Sequence, residues 1–313
     1  MFFVSSFKAS AEGFSIDVAC EPSEQQIDEN LGYFDLKNNP GKEEILMIKV
    51  TNLKEQPIDL AVHFYSGSTA TTGTIVYEEM EGTSDDSHNL EKQVKLDRQT
   101  LTLQPLETQT IEATLTYPED FKGLLLGGFR FSEENKGKRK TGIQQSFEIV
   151  KGLVIHGSEE YAEAELIVEQ VAETAFQEES VIALSIKNPI GYAVKNASLN
   201  LSLIDATSEE TTFEQTYNAI EIAPFSTLPF QFSVEKPLKR GHTYRLVGEL
   251  QAGNYHLPIE DEFTTSRNLQ PNMIKVKEKK AVFHYNYLGI GCLAFLSIVF
   301  YGIYRIWKKS PRS

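Results

Sequence analysis

The sequence predicts an all-β fold, two antiparallel β-sandwich domains in tandem, followed by one transmembrane α-helix. Three observations lead there. Apolar residues alternate with polar ones at a period of two, strand-like segments recur without helical crossovers, and one uncharged apolar run lies near the C-terminus.

The alternation is clearest in Ile45–Val50, Ile58–Phe64, Thr108–Thr116, Val181–Ile186, Ala197–Leu203, Leu228–Val234 and His242–Leu250. These segments are rich in Val, Ile, Thr, Phe and Tyr and are bounded by Asn, Gly and Pro, as half-buried strands between turns are. No segment before the C-terminal run sustains a helical period. Strands spaced in this way without crossovers form an antiparallel, immunoglobulin-like sandwich.

An internal echo divides them into two domains. At a constant offset of 119, Pro105 pairs with Pro224, Ile111 with Phe230, Ala113 with Phe232, Leu115 with Val234 and Pro118 with Pro237. Upstream, Lys49-Val50-Thr51-Asn52 echoes Ser185-Ile186-Lys187-Asn188, each leading from a strand into an Asn turn. Asn52 to Pro105 spans 53 residues and Asn188 to Pro224 spans 36, so the first copy carries 17 more, placed near Ser68–Leu90. The chain therefore reads as two related sandwiches, the first with an inserted hairpin or loop.

The ends set the expected topology. Tyr287–Tyr304 is 18 residues without a charge, flanked by Tyr285, Tyr301, Tyr304 and Trp307 and followed by Arg305, Lys308, Lys309 and Arg312. Length, aromatic flanks and basic tail predict a single span with a cytoplasmic C-terminus and an extracellular ectodomain in the cell membrane. At the other end, Ala9-Ser10-Ala11 resembles a signal-peptidase site. Asp17-Val18-Ala19-Cys20 does not make a lipoprotein box, because Asp17 stands where an apolar residue is needed, and there is no LPxTG-type motif. The expected organisation is a signal-peptide remnant (1–11), a first β-sandwich (12–157), a second (158–266), a linker (267–284), a transmembrane helix (285–307) and a cytoplasmic tail (308–313).

Composition limits the chemistry. With 44 acidic and 30 basic residues the chain carries −14, the wrong sign for a nucleic-acid binder. Its two cysteines, Cys20 and Cys292, exclude a disulfide framework, so each domain must rely on its hydrophobic core. None of the histidines (His63, His88, His156, His242, His256 and His284) forms a metal-binding motif, and no P-loop, GxSxG or GxGxxG is present. We expect no catalytic residue, no metal and no cofactor. Asp85-Asp86 reads as a solvated loop, Lys136–Lys140 as an exposed turn, and the sequons at Asn196 and Asn200 as strand residues. Glu78, Glu79 and Glu81 keep open a glycan-processing enzyme or accessory as the alternative; a passive spacer stalk is another.

Several short motifs appear in one order: Pro22-Ser23-Glu24-Gln25, Tyr33-Phe34-Asp35-Leu36 with Pro40-Gly41, Val50-Thr51-Asn52, Ala70-Thr71-Thr72-Gly73, Ile75-Val76-Tyr77, Pro118 with Phe121-Lys122-Gly123, and Leu126-Gly127-Gly128. In this order they resemble the peptidoglycan-binding domain of the WxL-interacting protein family of Gram-positive cell-surface proteins. The remaining β region resembles that family's host-binding domain. Glu24 departs from the family pattern, which has Asn before Gln. The resemblance implies a non-enzymatic, membrane-anchored surface adaptor. Its first domain would bind peptidoglycan, and its second WxL-domain surface proteins or host extracellular-matrix proteins. Within the insert, Thr71, Thr72 and Tyr77 are the candidate ligand-binding residues, since hydroxyls and an aromatic ring suit a glycan. Gly123, Gly127 and Gly128 are candidate structural glycines, where a side chain would clash.

Overall fold

The computed structural model describes residues 15–79, 88–134, 148–176 and 179–265. The first sandwich comprises β1 (Ile16–Cys20), β2 (Phe34–Lys37), β3 (Glu43–Asn52), β4 (Ile58–Ser66), β5 (Ser68–Thr69), β6 (Ile75–Val76), β7 (Val94–Leu96), β8 (Thr100–Leu103), β9 (Thr108–Thr116), β10 (Leu124–Glu133) and β11 (Glu148–His156). One sheet runs β1-β3-β9-β7, the other β2-β11-β10-β4-β8, and β5-β6 form a separate hairpin. The second sandwich comprises β12 (Ile167–Phe176), β13 (Ser180–Lys187), β14 (Val194–Asp205), β15 (Glu210–Ile222), β16 (Thr227–Val234), β17 (Thr243–Ala252) and β18 (Tyr255–Thr264). Its sheets run β12-β13-β16 and β15-β14-β17-β18.

The period of two in the sequence becomes two dry cores. Along β13, Ile182, Leu184 and Ile186 are fully buried while the residues between them are not. One core gathers Phe34, Leu36, Ile48, Leu60, Phe129 and Phe131, the other Leu184, Leu201, Leu203, Phe230 and Tyr244. Cys20 packs against the first core, and burial pushes its thiol up to about 11, the nearby Lys151 offsetting this only in part.

Two expectations are corrected. Among the described residues no helix is long and apolar enough to cross a membrane. The fold is all-β, and the transmembrane helix at 285–307, with any membrane contact through it, has no support. In the described chain the apolar residues alternate along strands and fill the two cores, and the 3-10 turn Leu90–Lys92 is only three residues long, so none of these residues offers a spanning helix. The segments 1–11, 267–284, 285–307 and 308–313 lie outside the described residues. The sheets are also not wholly antiparallel. β2 pairs with β11 in parallel, from Leu153↔Phe34 to His156↔Lys37.

The internal echo has a geometric counterpart. Asn52 and Asn188 are both fully buried. Asn52 Nδ2 donates to the carbonyls of Gln56, Leu103 and Gln104, and its Oδ1 accepts from Lys54 N. Asn188 Nδ2 donates to the carbonyls of Tyr192 and Ala223, and its Oδ1 accepts from Ile190 N. Each amide thus ties its own turn to the segment before the strand at offset 119. There the match extends to the backbone. Pro105 precedes Leu106 at φ 58°, and Pro224 precedes Phe225 at φ 52°. Proline followed by a positive φ is the pattern of a type II turn, which ordinarily takes Gly at that second position.

The insert of the first sandwich reaches the second. Thr69 is fully buried, and its Oγ1 lies 2.7 Å from Ser226 Oγ and accepts from Ala223 N at 2.9 Å. Glu221 N donates to Gly73 O, and Gln231 N to Thr71 O. Gly73 sits at φ +75°, and a Cβ there would lie 2.6 Å from Ile220 Cδ1. In return Phe225 packs against the first core and stacks on His88, ring centroids 3.7 Å apart and 2° from parallel. A left-handed conformation at a bulky residue costs about 1–3 kcal/mol, and persists only when its surroundings hold it. The stacking and core contacts of Phe225 do so. Phe121–Gly123 closes the other side of the junction: Gly123 N donates to Glu159 O, Gly157 N to Gly123 O and Leu124 N to Gly191 O.

Candidate functional site

On β10, Leu125, Gly127, Phe129 and Phe131 face the core, so Leu126, Gly128 and Arg130 face outward. The outer face is unusually flat at its middle. Gly128 stands opposite Gly152 of β11 and opposite Tyr65 of β4. Two more tyrosines lie over the glycines. A Cβ at Gly128 would lie 2.7 Å from Tyr77 Cγ, and one at Gly152 3.8 Å from the ring and Cβ of Tyr33. Burial first, then Glu221 and Tyr33, raise the Tyr77 hydroxyl above its ordinary value. Tyr65 is raised by burial first and then by Glu79, with Arg130 acting the other way.

Polar groups surround these rings. The His63 ring lies 5.8 Å from that of Tyr65. Arg130, one step along the same face, donates to Glu148 Oε2 from Nη2 at 2.6 Å and from Nε at 3.0 Å, and lies 3.8 Å from Glu78. Tyr33 is 37% exposed and Val150 44%, so the face is open to solvent at its β11 side. Farther along, His156 Nε2 lies 2.7 Å from Asp35 Oδ1. The face there borders a cavity of about 280 Å³ lined by Leu124, His156, Tyr161, Tyr192 and Lys195. Tyrosine rings over a glycine floor, with an arginine and carboxylates beside them, offer stacking surface and hydrogen bonds together. That combination suits a sugar chain.

The structure separates the residues singled out in the sequence. Tyr77 belongs to this face. Thr71 and Thr72 do not: they are the exposed turn of the β5–β6 hairpin, where Thr71 O accepts from Gln231 N and Thr72 Oγ1 lies 3.5 Å from Thr74 Oγ1. The glycines have three different tasks. Gly127 faces the core, where a Cβ would lie 2.4 Å from Phe64 Cζ. Gly128 makes room for Tyr77, and Gly123, at φ +88°, meets Gly191 O at the junction. Tyr33, Tyr65 and Gly152 went unrecognised in the sequence. Tyr33 appeared only within the motif Tyr33–Leu36, and Tyr65 falls one residue beyond the predicted strand Ile58–Phe64. Among the described residues no group of three or more His, Cys, Asp or Glu side chains is placed to hold a metal.

Two β-sandwiches in tandem place the chain in the immunoglobulin-like fold class. Two family models cover most of the chain: "WxL Interacting Protein, peptidoglycan binding domain" over residues 16–133 and "WxL Interacting Protein, host binding domain" over 138–273. The chain belongs to the WxL Interacting Protein family. No curated protein matches it. Solved structures resemble it in fold alone. A class 5 fimbriae chaperone, CfaA, is 12% identical, covers 78% of this chain and 99% of its own, with a TM-score of 0.30. The CsuC–CsuE chaperone–tip complex of Acinetobacter baumannii is 11% identical, with 72% and 93% covered and a TM-score of 0.34. A PapD-like domain of human CEP192 is 8% identical, with 51% and 98% covered and a TM-score of 0.29.

Proposed function

We propose that this chain is a cell-surface adaptor that binds the glycan strands of peptidoglycan on the tyrosine face of its first sandwich. The second sandwich is left free for a protein partner, either a WxL-domain surface protein or a host matrix protein. The observation that carries this reading is the pairing of Tyr33 and Tyr77 with Gly152 and Gly128, which sets two rings on a flat sheet. The family's peptidoglycan-binding and host-binding domains support the division of labour. The chain acts outside the cell, in contact with the wall.

Chemistry on this face favours sugar over peptide. Ring stacking is sequence-tolerant along a repeating polymer, and Arg130, already engaged by Glu148, is poorly free to take a stem-peptide carboxylate. Glycan strands stripped of stem peptides should therefore displace the full chain from purified sacculi, and free stem peptide should not. Displacement by stem peptide alone would place the recognition elsewhere.

A further inference from the structure

β15 is the outermost strand of its sheet and, at 13 residues, the longest of the second sandwich. It pairs with β14 only, and from Thr211 to Asn218 its outer backbone groups take no hydrogen bond among the described residues. An open strand edge is a template for another chain, and proteins usually blunt it. The other outer strands here are blunted: β16 carries Pro229, β18 carries Pro258 and the acids Glu260, Asp261 and Glu262, and β12 is broken by register shifts. β15 holds neither proline nor lysine, and its own register shifts flank the regular run Phe213–Tyr217 rather than interrupt it. One end of this edge is already used for strand-like contact, since Glu221 N donates to Gly73 O of the first sandwich.

The side chains along the open run specify what fits. Phe213, Gln215 and Tyr217 share the face of Leu203, Leu201 and Leu199. Phe213 stacks on Phe232 at 4.8 Å, and Tyr217 meets Phe230 edge-on at 4.8 Å, yet both remain only partly buried. Glu214 and Thr216 lie on the opposite face, beside Ser202 and Asn200, and are exposed. A strand laid alongside would set alternate side chains against Phe213 and Tyr217, and the others near Glu214. The net charge of −14 opposes a second copy of this chain as occupant and favours a basic one.

We propose that the β15 edge captures an extended segment of a partner protein by strand addition. The segment alternates apolar residues, which cover Phe213 and Tyr217, with basic ones, which face Glu214. This rests on the reading of the second sandwich as a protein-binding module. The test titrates the full chain with a nine-residue peptide of alternating Val and Lys. A peptide with a central Pro and one of alternating Val and Glu serve as controls. The Val–Lys peptide should bind, and each control should bind at least about tenfold more weakly. Gln215→Pro in the chain should abolish binding, and Glu214→Lys should invert the preference between the Lys and Glu peptides. The proposal is overturned if the Val–Lys peptide does not bind, if the central Pro makes no difference, or if Glu214→Lys leaves the preference unchanged. Adhesion to immobilised matrix protein separates the two readings. A chain that binds the peptide but no matrix protein keeps the edge and loses the host-binding reading. A chain that adheres with wild-type strength after both edge substitutions loses the edge and keeps that reading.

Discussion

Asn188→Ala should destabilise the chain by about 2–4 kcal/mol, and Asn52→Ala by a similar amount, because each removes a fully buried amide together with its hydrogen bonds to several backbone groups. In Asn188→Ala the Tyr192 carbonyl and the Ile190 amide lose their side-chain partner, and the Ala223 carbonyl keeps Ser226 Oγ but loses Asn188 Nδ2. In Asn52→Ala the Gln56, Leu103 and Gln104 carbonyls and the Lys54 amide do. Asn38 is the internal control. Its Nδ2 makes only long bonds of 3.3 and 3.5 Å, and its buried Oδ1 finds no partner among the described residues. Asn38→Ala should therefore cost less than about 1 kcal/mol. Urea denaturation of the three variants measures this directly. Equal losses at all three positions would show that the duplicated amide bonds do not anchor the two sandwiches.

Gly123→Ala should rank beside them, and its cause can be separated into two parts. The residue holds φ +88°, and a Cβ would lie 2.2 Å from Gly191 O, a backbone atom that cannot swing aside. Gly41→Ala isolates the backbone conformation, since Gly41 is at φ +69° with nothing within 4 Å of a Cβ. That variant should cost about 1–2 kcal/mol. Gly191→Ala isolates the contact, since no left-handed φ is needed there but a Cβ would lie 2.4 Å from Lys122 O. Gly123→Ala carries both penalties and should cost about 3 kcal/mol or more, a fall in melting temperature of roughly 5 °C or more for a chain of this size. A Gly123→Ala melt no lower than that of Gly41→Ala would mean that the junction yields easily at this point.

Much of the fold was legible because strand burial is local. The period of two placed β9 at its full extent, Thr108–Thr116, and located the centres of β3, β4, β13, β14, β16 and β17. The offset of 119 was legible for a deeper reason. It preserves the proline turn and the carbonyls that the buried asparagines bind, so sequence and geometry repeat together. What failed to show was non-local. The insert read as a hairpin or loop, but its contact with the second sandwich did not show, because its partner Ser226 lies 157 residues from Thr69. The parallel pairing of β2 with β11 rests on four residues, too few to carry a directional signal. Tyr33 lies outside any strand, and only the register of β10 against β11 brings it near Tyr77 over paired glycines. Tyr77 was found by residue type, whereas the face it completes required three strands to be placed side by side.

The central claim, that the tyrosine face holds the glycan, is tested most directly by the retention of the full chain on purified sacculi before and after Tyr33→Ala/Tyr77→Ala. Aromatic contacts contribute about 0.5–1.5 kcal/mol each beyond burial, so affinity should fall by roughly 5- to 150-fold. Circular dichroism should report an unchanged β signature, since both rings lie on the outside of the sheet and neither belongs to the first core. A folded double variant that binds sacculi as tightly as the wild type would contradict the account.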